Sequence, residues 1–202
     1  MKLYYTPGTC SLASHIALRE AGLDFTLEKV DLGSKRIENG QDYLAINPNG
    51  YVPAFEIEPG VVLTEGPAIL QYIADKAPTS KLAPPPGGME HYRLLSWLNF
   101  ITAEIHKSFS PLFKPDSTPE TKTAFKELIA KRFDHVERHL AQNEYLLAGG
   151  FSIADAYLFV TTSWAGFVDI DIQKWPAIVA FRKRLQARPS VQEAIRAEGL
   201  LK

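Results

Sequence analysis

One cysteine, Cys10, stands where a short apolar run gives way to helical periodicity. A thiol at a helix start feels the partial positive charge of that terminus, which favours the thiolate, so a lowered pKa is expected. Free cysteine is also among the most buried residue types, and for an arbitrary cysteine a structural thiol is the plainer reading. The strand-to-helix turn after Pro7-Gly8-Thr9 tips the reading towards chemistry. Ser11-Leu12-Ala13 follow, so the second cysteine of a Cys-x-x-Cys pair is absent. A reactive Cys10 then has to work with an external thiol.

Thr64-Glu65-Gly66-Pro67 opens a helix directly after an apolar strand, with Thr64 the expected cap. Backbone N–H groups at a helix start can hold a carboxylate, and Gly66 lets it approach closely. Glu65 offers the counter-charge for an ammonium on the same ligand, which together fits the head of an α-amino acid. A structural reading is equally good: an acidic residue and a proline both favour a first helical turn. In Tyr51-Val52-Pro53, proline before a strand is either an edge choice or a cis peptide that turns the Val52 backbone outward to pair with an extended ligand. Asn99, Ala103 and His106 follow at i, i+4 and i+7, one face of a helix, with the small Ala103 leaving room. A lone helical histidine is more often structural. His135 and His139 lack the His-Glu-x-x-His arrangement, and no metal site is expected. Ser152 and Asp155 resemble a capping box, with Phe151 and Ala156 where a hydrophobic staple would sit, and here the structural reading wins.

The elements that must position these residues fall into two kinds. Residues 2–5, 25–32, 53–58 and 61–63 read as strands, and residues 11–21 and 65–77 as helices, in the order β-α-β, then β-β-α. A helix between strands suggests a parallel pair, and Pro59-Gly60 an antiparallel hairpin. Pro84-Pro85-Pro86-Gly87-Gly88 is a stiff segment with a flexible end. We assign residues 1–78 to an α+β domain, 79–88 to a linker and 89–202 to an all-α domain. In the latter, Leu94, Leu98, Ile101 and Ile105 form an apolar stripe, followed by helical stretches at 125–140, 153–168, 176–187 and 191–197.

The chain has 202 residues, enough for one large domain or two small ones. Its 22 Lys+Arg balance 23 Asp+Glu, which argues against a phosphate-backbone binder. One cysteine excludes an intrachain disulfide and a four-cysteine zinc site. No apolar run approaches the roughly 20 residues needed to span a bilayer, and the first residues lack a signal peptide's apolar run. A soluble cytoplasmic protein is the expectation, with no nucleic acid or membrane partner.

Taken in order, the segments resemble the cytosolic glutathione transferases, and closely the bacterial beta class. The carrying residues are Met1-Lys2-Leu3-Tyr4-Tyr5 with Cys10-Ser11-Leu12-Ala13-Ser14-His15, Asn47-Pro48-Asn49-Gly50-Tyr51-Val52-Pro53-Ala54, Leu63-Thr64-Glu65-Gly66-Pro67-Ala68-Ile69, Trp97-Leu98-Asn99-Phe100 with His106-Lys107, and Ser152-Ile153-Ala154-Asp155-Ala156-Tyr157. The resemblance implies a thioredoxin-like N-terminal domain, an all-helical C-terminal domain, a homodimer and glutathione as co-substrate. It implies glutathione paired with the Val52 backbone, its γ-glutamyl head on Glu65 and Gly66, its glycyl carboxylate near Lys35, and catalytic roles for Cys10 and His106 at the sulfur. Asn99, Ala103, Glu104, Ile105 and His106 would also reach glutathione, in part from a partner subunit. Many members carry serine where this chain has Gly66, so a backbone donor survives and a hydroxyl contact does not. Tyr51 would shape the pocket of the electrophile, and Tyr5 and Ser11 stand as substitutes for Cys10. The implied activity is conjugation of glutathione to small hydrophobic electrophiles in detoxification. The alternatives are a thiol-disulfide reductase or dehalogenase with Cys10 as nucleophile and, less favoured, a non-enzymatic ligand-binding protein.

Overall fold

The computed structural model describes residues 1–201 and divides the chain into two compact units. The first comprises Met1–Ala83 together with the chain from Arg188 onward; the second comprises Pro84–Ala187.

In the first unit the elements are β1 (Lys2–Tyr5), α1 (Ser11–Glu20), β2 (Thr26–Asp31), β3 (Arg36–Ile37), β4 (Ala54–Glu58), β5 (Val61–Thr64) and α2 (Gly66–Lys76). The sheet order is β3-β2-β1-β4-β5. β1 and β2 are parallel, as a helical crossover requires, while β4 runs antiparallel to both β1 and β5. Register sorts the side chains by face: Leu3 lies opposite Phe55, and Tyr4 opposite Ala54. Leu3 and Phe55 are fully buried, and Phe55 meets Tyr72 of α2 edge-on at 6.1 Å. Tyr4 and Ala54 belong to a second cluster with Val30, Ile37, Tyr43 and Val52. That cluster lies beneath the turns that carry the candidate site.

The β-α-β, β-β-α order is the expected one, with β3 as an extra strand. Two residues in a polar stretch carry no alternation to read. Pairing makes β3 a strand, with Val30 opposite Ile37 and Asp31 opposite Arg36. The turn between them is held by Asp31 Oδ1, which accepts from the Gly33 and Ser34 N–H groups at 2.7 and 3.1 Å.

The last helix, α8 (Pro189–Ala197), belongs to the first unit, where we had assigned it to the second. Periodicity reports that a segment is helical and not which neighbour it covers. Here α8 packs on α1. Val191 and Ala194 are fully buried, and Arg188 donates to both carboxylate oxygens of Glu20 at 2.6 and 2.9 Å.

The second unit is helical: α3 (Met89–Phe100), a π-helical segment (Ile101–His106), α4 (Lys107–Phe113), α5 (Pro119–Leu140), α6 (Ile153–Ser163), a 3-10 stretch (Trp164–Val168) and α7 (Pro176–Gln186). The stripe of Leu94, Leu98, Ile101 and Ile105 is buried throughout. α5 begins six residues before the first apolar position at Phe125, because Thr118 accepts from the Thr121 N–H and Pro119 fits the first turn. α6 is buried over its first ten residues. Its start is the capping box read from the sequence: Ser152 N–H and hydroxyl both donate to Asp155 Oδ2, at 2.8 and 2.6 Å. Among the described residues, no helix is long and apolar enough to cross a membrane.

Candidate functional site

Cys10 sits at the N-cap of α1, at the end of the turn that leaves β1. The loop is bound to itself: Thr9 Oγ1 donates to Thr6 O at 2.8 Å and lies 2.9 Å from Ser11 Oγ. The thiol donates to Val52 O at 3.2 Å. The Cys10 and Ser11 N–H groups face the sulfur and pull its pKa down, the expected effect of a helix terminus. Burial acts in the other direction and is larger. Together with the Glu65 carboxylate it pushes the thiol up to about 12. The lowered pKa expected from the sequence is therefore overturned: at neutral pH Cys10 is a protonated thiol. Spacing reveals the helix terminus but not the density of atoms around the sulfur.

Val52 is 7% exposed and precedes a cis peptide to Pro53, the geometry anticipated for this loop. The preceding carbonyl, Tyr51 O, accepts from the Tyr43 hydroxyl and from Asn47 Nδ2, each at 2.7 Å. Asn47 is buried, and a side-chain amide that anchors a loop has no separate sequence signal. Lys35 also reaches this loop. Its Nζ donates to Gly50 O at 2.8 Å and lies 5.9 Å from the centre of the exposed Tyr51 ring. Lys35 has φ +56, a left-handed conformation that an L residue enters at a cost and that aims the side chain back over the loop.

Glu65, not Thr64, is the N-cap of α2; Thr64 is the last residue of β5. Glu65 has φ +72 and ψ 118, a sparsely populated conformation that costs on the order of 1–3 kcal/mol in a non-glycine residue. Its side chain caps nothing and is exposed, so the carboxylate remains available to a ligand. Gly66 follows as the first helical residue, and a Cβ built there meets nothing within 4 Å. Cys10, Val52, Lys35, Glu65 and Gly66 thus all lie in the first unit, on turns at the ends of its elements.

Asn99, Ala103, Glu104, Ile105 and His106 lie in the second unit, and the helix that carries them is not regular. Ile101–His106 is a π-helical turn, so the i, i+4, i+7 alignment assumed for Asn99, Ala103 and His106 does not hold. Asn99 and Ala103 are exposed, and Asn99 Nδ2 donates to Leu95 O at 2.8 Å. Glu104 is paired with Arg132 at 2.7 Å, and Ile105 is fully buried in the core. His106 Nδ1 lies 2.6 Å from the Tyr157 hydroxyl, and the ring meets Trp164 edge-on at 4.8 Å. Burial, with Lys107 adding to it, lowers the His106 pKa to about 4. The ring is neutral at pH 7. Its partners Tyr157 and Trp164 lie 51 and 58 residues further on, beyond the reach of helical spacing.

His135 and His139 meet the Trp97 ring at 5.7 and 4.9 Å. Among the described residues, no group of three or more His, Cys, Asp or Glu is arranged to hold a metal ion.

Two family models match the chain: the glutathione S-transferase N-terminal domain over residues 1–75, and the C-terminal domain over residues 100–189. The chain belongs to the glutathione S-transferase family. Glutathione S-transferase GstA of Escherichia coli O157:H7 is 48% identical over 200 residues, covering 99% of this chain and 100% of that protein. A sphingomonad glutathione S-transferase solved in complex with glutathione is 46% identical, with a TM-score of 0.96 and full coverage of both chains. A beta class glutathione S-transferase of Sphingomonas chungbukensis is also 46% identical, with a TM-score of 0.97 over the whole of both chains. The glutathione S-transferase family and the beta class are those named from the sequence.

Proposed function

We propose that this glutathione transferase binds glutathione on the first unit, with the tripeptide thiol beside Cys10, and directs its thiolate at a small hydrophobic electrophile. The observation that carries this is the convergence of the Cys10 thiol, the Val52 backbone and the charge of Glu65 in one unit. Glu65 takes the ammonium of the γ-glutamyl head, and the α2 start at Gly66 takes its carboxylate. Val52 pairs with the cysteinyl backbone, and Lys35 balances the glycyl carboxylate. Asn99 and the segment from Ala103 through Glu104 and Ile105 to His106 complete the site, in a homodimer that works in the cytoplasm.

Glutathione is a thiol whose pKa lies above neutral, so binding must favour its anion. The Cys10 and Ser11 N–H groups are hydrogen-bond donors suited to that anion, and the Cys10 S–H joins them by turning away from Val52 O. The glutathione proton leaves to solvent. The thiolate then forms a carbon–sulfur bond with the electrophile, whose leaving group departs with its bonding pair. A protonated Cys10 favours this route over one in which Cys10 is itself the nucleophile.

The test is conjugation to an aryl halide beside reduction of a mixed disulfide, in wild type and Cys10→Ala, with Cys10 alkylation followed against pH. The variant is expected to keep conjugation within about tenfold, and the wild-type alkylation midpoint to lie above the free-thiol value of about 8.5. Loss of both activities in the variant, with a midpoint below that value, would make Cys10 the nucleophile.

A further inference from the structure

The loop that presents Cys10 is gripped from near the other end of the chain. Glu198, directly after α8, is 6% exposed. Its Oε2 accepts from the Gly8 N–H at 2.9 Å, and its Oε1 lies 2.9 Å from His15 Nδ1, with both side chains fully buried. The tautomer of His15 follows from its other nitrogen. Arg19 Nε donates to His15 Nε2 at 2.9 Å, so Nε2 is the acceptor and the ring proton is on Nδ1, aimed at Glu198. Arg19 in turn reaches Glu193 of α8 at 3.1 Å. A cation and a carboxylate are thus linked through a neutral imidazole, every shared proton has one donor and one acceptor, and the line ends on a backbone amide two residues before Cys10.

That amide is a distinctive one. Within the turn, Thr9 N–H and Ser11 Oγ both donate to Thr6 O at 3.2 Å, while Thr6 Oγ1 and the Cys10 thiol reach Val30 O and Val52 O, 24 and 42 residues on. The Gly8 bond to Glu198 crosses 190 residues. Gly8 has φ +73, which glycine adopts freely, and a Cβ there would lie 3.6 Å from Leu200, so the segment after α8 also covers the turn. We propose that Glu198 is a positioning residue for Cys10. Through Gly8 it sets where the loop lies on α1, and hence how deeply the sulfur is buried against the Cys10 and Ser11 N–H groups and the Val52 carbonyl. Its effect on turnover rests on the reading that Cys10 faces the glutathione sulfur; its effect on the thiol does not.

Glu198→Gln tests this in the full chain. The side-chain amide has one acceptor oxygen for two donors, Gly8 N–H and His15 Nδ1–H, so one bond is lost at nearly constant volume. Cys10 is the sole cysteine, so alkylation reads it alone. A loosened loop sheds part of the burial that protects the thiol. The expected result is alkylation faster by about threefold or more at pH 8, with glutathione KM raised more than kcat is lowered. Ser152→Ala, which weakens the cap of α6 in the other unit, should lower the melting temperature and leave alkylation at the wild-type rate. A lower melting temperature in Glu198→Gln with wild-type alkylation and KM overturns the proposal, because Glu198 then supports only the fold. Hydrogen exchange of the Gly8 amide in the wild-type protein keeps the proposal testable if the variant does not fold. Protection like that of the α1 interior is expected, and exchange as fast as an open loop overturns it. Alkylation and exchange are both read without glutathione, so they stand or fall apart from the proposed function.

Discussion

Two effects of known sign meet at the Cys10 sulfur. A helix terminus is typically worth 0.3–1 kcal/mol to a charge beside it. Burial shifts a titration by several units, up to 3–5 when it is complete, at about 1.4 kcal/mol each, and even the partial burial of Cys10 outweighs the helix terminus. Burial therefore decides, and Cys10 is a hydrogen-bond donor rather than a standing anion. Gly66 can be argued in the same terms. It lies in the first turn of α2 with open space where a side chain would grow, and its φ is not in the left-handed region. Gly66→Ser should fold as well as wild type, within a few tenths of a kcal/mol, and gain slightly from reduced chain entropy. A hydroxyl there can reach the γ-glutamyl head, and one added hydrogen bond lowers the glutathione KM by about two- to tenfold. Initial rates against glutathione concentration check this. An unchanged KM would mean that the head group does not lie on this turn.

Capping dominates at the scale of the element. α6 is apolar and buried, so its first turn has no water to satisfy it. Ser152 O takes the Asp155 and Ala156 N–H groups at 3.0 and 3.2 Å, and Asp155 in turn accepts from Ser152 N–H, Ser152 Oγ and, at 2.8 Å, the Leu146 N–H. It thus ties the loop before the helix to the helix. Asp155→Ala leaves three buried donors without an acceptor and should cost about 2–4 kcal/mol, more than an ordinary cap. Urea unfolding measures it. A cost below about 1 kcal/mol would show that water reaches these donors. The π-helical turn at Ile101–His106 is the other decisive element, because it changes which residues share a face without ending the helix.

For the whole molecule, stability against pH carries two opposed contributions. His106 titrates near 4 when folded and near 6.5 when unfolded, so between those values the unfolded chain binds the extra proton. Its contribution is present above pH 6.5 and is lost as pH falls towards 4. Asp155 is pushed up to about 6 by burial, against the donors that pull it down. Its contribution is present below the unfolded value of 3.8 and is lost as pH rises towards 6. A wild-type profile alone mixes the two. The melting-temperature gap between wild type and His106→Gln isolates the first, and it should shrink as pH falls from 7 to 4. A gap independent of pH would mean that His106 is protonated as readily in the folded chain as in the unfolded one.

The elements themselves were legible in the sequence, because local signals make them: the strand and helix periods, the Pro59-Gly60 turn, the Ser152–Asp155 cap. The turn residues proposed for the site were legible for the same reason. Cys10, Val52, Glu65 and Gly66 sit where one element hands over to the next, and types that fit such places are few. Four things depended on distance. β3 exists through its partner, Val30 to Ile37, and not through its own composition. α8 joined α1 through Arg188 and Glu20, whose pairing spans 168 residues. His106 became neutral through burial beside Tyr157 and Trp164, and the Cys10 pKa reversed its expected sign. Hydrogen-bond geometry within a turn is written in adjacent residues. Desolvation is not, because it sums over atoms that only the folded chain brings together.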